Sequence, residues 1–209
     1  MKKVFSILAG ILLVSGLQAQ IETRTFSNFQ KINLAGGFHE VLLVAGDESR
    51  VEIDGKNGAP TGEVDIKESG DAINIAMRKG TAQKASNYRL KITYRQLSVL
   101  NSAGSSDVRT GNAIRGDKFV YNASSSGDLD AEFDVDVLEC NFSGSGDMVA
   151  RGKANRIQFA ISGSSDINAA ALQAQTGKVS ISGSGDARVN VTGDLKSTVS
   201  GSGSIDNSH

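Results

Sequence analysis

The chain has 209 residues, and its 22 Lys and Arg nearly balance its 23 Asp and Glu, for a formal net charge of −1. A near-neutral chain lacks the electrostatic attraction that nucleic acids require, so composition argues against a nucleic-acid partner. The single Cys cannot form an internal disulfide, and two His leave little scope for a zinc site or a His-dependent active site. Hydrophobic residues make up 39% of the chain, which is enough for one folded domain.

The first nineteen residues have the pattern of a secretory signal peptide. Lys2 and Lys3 precede an apolar segment at 4–14, and the small residue Ala19 ends the region. This order predicts a signal peptide over residues 1–19 that is cleaved after Ala19. The apolar run is short for a membrane span, which needs about 20 residues. We therefore expect an exported protein without a membrane span after cleavage, located in the periplasm, at the outer-membrane surface or outside the cell.

Residues 21–97 read as an irregular series of strands. Apolar and polar residues alternate at 41–45 and 51–53 on either side of a polar turn, and again at 64–66 and 73–77. Period-two alternation around Gly, Asp and Ser turns is typical of β-hairpins. No 3.6-residue apolar stripe follows residue 20, so the sequence predicts an all-β fold.

From residue 98 to residue 209 the sequence repeats with a period of about 20 residues. The repeated element is a turn of small residues that ends in Asp, as in Ser143-Gly144-Ser145-Gly146-Asp147. A unit of this length cannot bury its own apolar face, so neighbouring units must stack. The repeat therefore predicts a parallel β-helix, or β-solenoid, whose coils form a single domain over residues 20–209 together with the strand region at 21–97. The Asp residues that end the turns are Asp107, Asp128, Asp147, Asp166 and Asp186.

The flanks of the turns also align. Mostly apolar residues stand seven and five positions before each Asp and one position after it, which predicts three columns that face the core. The intervening column, six positions before the Asp, faces outward and holds three amides that we expect to form a ladder across the coils. These amides are Asn101, Asn122 and Asn141.

The turns, together with Gly36-Gly37-Phe38-His39-Glu40-Val41 and Gly46-Asp47-Glu48, resemble one known family. It is the putative auto-transporter adhesin head domain, also called the GIN domain, and the resemblance extends from about Phe26 to Asp206. The resemblance implies a right-handed, single-stranded β-helix in a secreted or cell-envelope protein. It brings no catalytic residues to assign.

The Asp column allows two interpretations. Stacked carboxylates about 5 Å apart repel each other by roughly 0.8 kcal/mol in bulk water, so something must offset this repulsion. Either each carboxylate accepts hydrogen bonds from backbone N–H groups of the turns, or calcium ions lie between the turns. The first interpretation needs no cofactor, and the second makes the column a metal site.

The sequence favours a non-enzymatic binding module of the adhesin type that contacts carbohydrate or protein at the cell surface. The candidate binding residues are the five Asp and three Asn of the two columns. One alternative is a structural scaffold of the envelope without a small ligand, and another is a carbohydrate-active β-helix enzyme. Glu132, Asp134 and Asp136 form a further acidic strand face, which suits either a partner or solubility.

Overall fold

The computed structural model describes residues 20–124 and 126–208, so the predicted signal peptide lies outside the described residues. Over this part of the chain the fold is built from strands, with three short 3-10 helices. The first nine strands are β1 (Gln20–Thr25), β2 (Lys31–Ala35), β3 (Glu40–Ala45), β4 (Arg50–Gly55), β5 (Val64–Ser69), β6 (Ala72–Met77), β7 (Tyr88–Tyr94), β8 (Val99–Ala103) and β9 (Val108–Thr110). The remaining strands are β10 (Ile114–Ala123), β11 (Leu129–Phe142), β12 (Met148–Ile161), β13 (Ile167–Gly183), β14 (Ala187–Val191), β15 (Leu195–Gly201) and β16 (Ile205–Asn207). The 3-10 helices are Lys56–Gly58, Thr61–Glu63 and Ala82–Asn87.

The strands form one continuous sheet that winds around a single core. Parallel pairing runs through β6, β2, β8 and β10 along one side and through β7, β3 and β9 along another. Both series meet at the long strand β11, which pairs in parallel with β12, as β12 does with β13. β14 and β15 stack on β13 as the next coil, and β16 stacks on β14. The fold is therefore the all-β solenoid of stacked parallel strands that the repeat predicts.

The coils at the amino-terminal end do not stack in sequence order. β2 lies between β6 and β8, and β3 lies between β7 and β9. The hairpin predicted at 64–77 is confirmed, because β5 and β6 pair in antiparallel fashion. The hairpin predicted at 41–53 is wrong, since β7 lies between β3 and β4 and pairs with both. The turn at 46–49 therefore carries the chain out of the coil and into an antiparallel layer completed by β1.

The three inward columns are confirmed by burial. In the repeat coils the residues seven and five positions before the turn Asp, and one after it, are at most 3% exposed. Cys140 lies between Tyr121 and Phe159 in the first of these columns, and its thiol lies 3.7 Å from the Met148 sulfur. Desolvation raises the pKa of the Cys140 thiol well above its ordinary value, so this cysteine is an inert part of the core.

Candidate functional site

A ladder of asparagine side chains runs along one outer face of the solenoid. Asn101 Nδ2 donates to Asn33 Oδ1 at 2.6 Å, and Asn122 Nδ2 donates to Asn101 Oδ1 at 2.7 Å. Asn141 Nδ2 continues the series to Asn122 Oδ1 at 2.9 Å. The strand register places these residues directly opposite one another, which brings successive amides within hydrogen-bond reach. The predicted amide ladder is therefore present.

The ladder is longer than the sequence indicated. Asn33 Nδ2 donates to Asn74 Oδ1 at 2.9 Å, so five amides form one hydrogen-bonded series. Asn33 and Asn74 precede the repeat at 98–209, so the alignment of the turns does not indicate them. The local signal was an Asn between two buried aliphatic residues, as in Ile32-Asn33-Leu34.

The carboxyl-terminal end of the ladder is tied to a charged pair. Glu139 Oε1 accepts a hydrogen bond from Asn141 Nδ2 at 3.3 Å, and its other oxygen lies 2.8 Å from Lys118 Nζ. The hydrogen bond from Lys118, followed by the one from Asn141, holds the pKa of the Glu139 carboxyl below its usual range. Glu139 therefore stays ionised and accepts an Asn141 proton that the ladder does not use.

A shallow groove of about 330 Å³, which we call the ladder groove, follows the ladder. Its polar walls combine the amides with serine side chains of the turns, and its floor includes Ala123 and Phe142. Its polar lining includes Asn101, Asn122, Asn141, Ser124, Ser143 and Ser162. Within the described residues, Asn101 and Asn122 each use one amide proton in a ladder hydrogen bond, and the second proton of each makes no hydrogen bond.

We expect Asn101→Ala to lower the free energy of unfolding by about 1–2 kcal/mol, because it removes two ladder hydrogen bonds at a half-buried position. The matched control is Ser180→Ala in the same column, whose hydroxyl makes no hydrogen bond within the described part of the chain. Urea unfolding monitored by circular dichroism measures both values. Equal stability of Asn101→Ala and the parent chain would contradict a stabilising ladder.

The Asp column lies at the exposed turns beyond the groove, and its carboxylates bind backbone. Asp128 Oδ1 accepts the N–H of Asp147 at 2.9 Å, and Asp147 Oδ1 accepts the N–H of Asp166 at 2.8 Å. In the same way Asp107 Oδ1 accepts the N–H of Asp128 at 3.3 Å, and Asp166 Oδ1 accepts the N–H of Asp186 at 2.8 Å. Ser204 ends the series by donating both its N–H and its hydroxyl to Asp186 Oδ1.

These bonds join neighbouring coils rather than closing individual turns. Each Asp carbonyl also accepts an N–H from the coil before it, as in Met148 N to Asp166 O at 2.9 Å. Each carboxylate oxygen thus accepts the N–H of the next Asp in the column, at a point in the turn where no backbone carbonyl accepts it. The N–H dipoles aimed at each carboxylate offset the repulsion within the column.

The arrangement of the Asp carboxylates gives less support to calcium binding. Within residues 20–124 and 126–208, no group of three or more His, Cys, Asp or Glu side chains is placed to hold a metal ion. Along the Asp column, one oxygen of each carboxylate is already hydrogen-bonded to an N–H group. We therefore expect the same midpoint of thermal unfolding in EDTA and in millimolar calcium, with magnesium as the control for ionic strength.

We expect Asp147→Ala to be less stable than Asp147→Asn by about 1–2 kcal/mol. Alanine leaves the Asp166 N–H without its acceptor, whereas asparagine keeps an oxygen there and also relieves the repulsion from Asp128 and Asp166. Chemical unfolding of both variants at low salt and in 0.5 M NaCl tests this. Equal stability of the two variants would show that the hydrogen bond contributes nothing.

The sequence model of the family described as "Putative auto-transporter adhesin, head GIN domain" matches residues 28–208. The chain belongs to this family. No curated protein matches it by sequence.

Several solved structures share the GIN-domain fold of this chain. A putative adhesin from Bacteroides fragilis has 19% sequence identity and a TM-score of 0.80, over 92% of this chain and 99% of that one. A putative adhesin from Parabacteroides distasonis has 18% identity and a TM-score of 0.66, over 91% and 97% of the two chains. A putative lipid binding protein from the same organism has 19% identity and a TM-score of 0.61, over 90% and 97%. At these identities the likeness shows a shared fold alone.

Proposed function

We propose that the mature chain is a non-enzymatic binding module of the adhesin type, exported by means of residues 1–19. It acts in the periplasm, at the outer-membrane surface or outside the cell, where it contacts carbohydrate or protein. Membership of the adhesin head family and the signal-peptide pattern support this proposal. No helix in the described parts of the chain is long and apolar enough to cross a membrane.

The observation that carries the proposal is the groove along the asparagine ladder. Its amide protons and serine hydroxyls recur at the coil spacing of about 4.8 Å. The ladder fixes the amides in position, so a ligand that meets them loses little conformational freedom of the protein. Repeated weak contacts on a rigid surface suit a long ligand, whose many groups bind together more tightly than each does alone.

The carboxyl groups give less support to the alternative of a carbohydrate-active enzyme. Catalysis of glycoside hydrolysis requires a general acid whose pKa is raised. The carboxyl groups with a clear pKa shift in the described chain are Glu22, Glu63 and Glu139, and hydrogen bonds to Arg24, Lys84 and Lys118, respectively, are the largest cause of each shift, which is downward. These carboxylates are held in the ionised form, which suits ion pairs rather than proton donation.

The proposal is tested with residues 20–209 and a panel of immobilised polysaccharides and surface proteins. Saturable binding without turnover is the expected result. Ser162→Arg should abolish it because a long cation fills the groove, whereas Ser164→Arg, two residues further and outside the groove, should bind as the parent does. Turnover of a polysaccharide would establish the enzyme instead, and absence of saturable binding to every probe would favour the scaffold.

A further inference from the structure

A second groove, of about 600 Å³, runs along the solenoid axis at a bend in strands β10 to β13. We call it the bend groove, and its lining includes Asp117, Asp134, Asp136, Lys153, Gln173 and Gln175. The residues that line the ladder groove are a separate set, so the two grooves share no side chain. The bend groove contains two residues of the acidic strand face that the sequence indicated, Asp134 and Asp136.

The side chains in the middle of the bend groove are already paired. Asp134 contacts Lys153 at 3.3 Å and Arg115 at 3.6 Å. Asp136 Oδ1 accepts a hydrogen bond from Asn155 Nδ2 at 2.6 Å. These contacts fix the middle of the groove without closing it.

The ends of the groove hold unused hydrogen-bonding groups. The Gln173 and Gln175 amides and the Asp117 carboxylate have no hydrogen bond or ion pair with any residue that the structure describes, and all three side chains are exposed. An amide both donates and accepts, whereas a carboxylate only accepts. The groove therefore offers donors and acceptors at its glutamine end and acceptors alone at its Asp117 end.

These groups match a polyhydroxylated ligand better than a peptide. An extended peptide usually binds a sheet by adding a strand to a free edge. Here the strands below the groove are paired on both sides, since β11 pairs with β10 and β12, and β12 with β13. Binding must therefore use side chains, and sugar hydroxyls can donate to the carboxylates and exchange hydrogen bonds with the amides.

We propose that the bend groove binds an oligosaccharide that runs along the solenoid axis, and that it prefers neutral or amine-bearing sugars to acidic ones. Three carboxylates against Lys153 make the lining net negative, which repels uronic acids. The site goes beyond the function proposed above, because it is a second ligand site on another face. It has no aromatic side chain for a sugar ring to stack on, so we expect weak binding, with a Kd of about 0.1–1 mM.

The test is a nuclear magnetic resonance titration of residues 20–209 with three tetrasaccharides, namely chitosan, N-acetylchitosan and oligogalacturonate. The expected result is saturable shifts at the bend groove with at least one of the first two, and at least tenfold weaker binding of the galacturonate. The double variant Gln173→Ala, Gln175→Ala should weaken binding at least fivefold. Gln158→Ala, which alters an amide outside both grooves, is the matched control.

Two outcomes would overturn the inference. One is the absence of saturable shifts with every tetrasaccharide at 5 mM. The other is binding that survives the double glutamine variant but is lost in Ser162→Arg, which would assign the sugar to the ladder groove and leave the function proposed above intact. Tighter binding of the galacturonate than of the other two would refute the charge preference.

Discussion

Gly152→Ala is expected to lower the free energy of unfolding by about 3 kcal/mol, with a fall in the thermal midpoint of roughly 6–12 °C. Gly152 lies within β12 in the middle of the stack, with a φ of 101° that side chains rarely adopt. A Cβ atom there would lie 2.1 Å from the Phe133 carbonyl oxygen of the preceding coil. Backbone strain and this overlap both oppose the substitution.

The structure leaves little room for relief at this position. Phe133 and Gly152 are paired in the parallel ladder, and coils on both sides hold β12 in place. The matched control is Gly62→Ala, where a Cβ would meet no atom within 4 Å, and we expect a change within about 0.5 kcal/mol. Calorimetry of both variants measures the difference, and similar midpoints would show that the coil spacing is more adaptable than the structure indicates.

Gly152 also shows where the repeat stops being informative. The aligned turns predicted the three inward columns and the outward amides, because each depends on a spacing that recurs from coil to coil. Gly152 stands outside the turns, and the coils pair it with Phe133 and Leu172. Its need for glycine arises from its φ of 101° and from the close approach of the Phe133 carbonyl, which the aligned turns do not indicate.

The asparagine ladder, too, could be predicted only where the repeat aligns its residues. Asn101, Asn122 and Asn141 were predictable because the repeat aligns them. Asn33 joins them only because β2 stacks against β8, across 68 residues of sequence. Period-two alternation predicts strands but not which strands pair with one another. A coil that stacks out of sequence order therefore cannot be predicted from alternation.

The two grooves also differ in how far the sequence predicts them. The ladder groove follows a column that the alignment of the turns predicts. The bend groove depends on the strand register, which stacks Lys153 of β12 between Asp134 of β11 and Gln173 of β13. Alternation indicated which carboxylates face outward, but it did not show that Asp134 and Asp136 line a groove whereas Glu132 of the same acidic face does not.

The tyrosines predict a steep loss of stability at alkaline pH. The chain has three Tyr and no Trp, and all three tyrosines are buried. Burial raises the pKa of Tyr94 to about 12, although the Arg115 charge acts in the opposite direction. Burial, followed by the hydrogen bond to Glu63 and its charge, raises the pKa of Tyr88 to about 12. Burial likewise raises the pKa of Tyr121 well above its usual range.

The direction of the change in stability with pH follows from the higher pKa of each tyrosine in the folded chain than in the unfolded chain. Below pH 10 each tyrosine is protonated in both the folded and the unfolded chain, so its contribution to stability is constant and fully present. Above pH 10 the unfolded chain releases protons that the folded chain retains, and each tyrosine removes about 1.4 kcal/mol per pH unit until its folded pKa is reached. The loss therefore falls between pH 10 and about 12 for Tyr88 and Tyr94.

Absorbance of tyrosinate and circular dichroism, recorded together against pH, measure this loss. We expect tyrosinate to appear in one cooperative step with unfolding, above pH 10.

Tyr94→Phe is the informative variant, because the Tyr94 hydroxyl is buried without a hydrogen-bond partner among the described residues. Its removal should raise the alkaline midpoint. Tyr88→Phe removes the single hydroxyl proton for which Glu63 Oε2, at 2.9 Å, and the Pro60 carbonyl, at 3.0 Å, are the acceptors, and should instead lower stability at neutral pH. Reversible ionisation near pH 10 in a chain that stays folded would mean that these hydroxyls are open to water, and the packing of the core described above would be wrong at those positions.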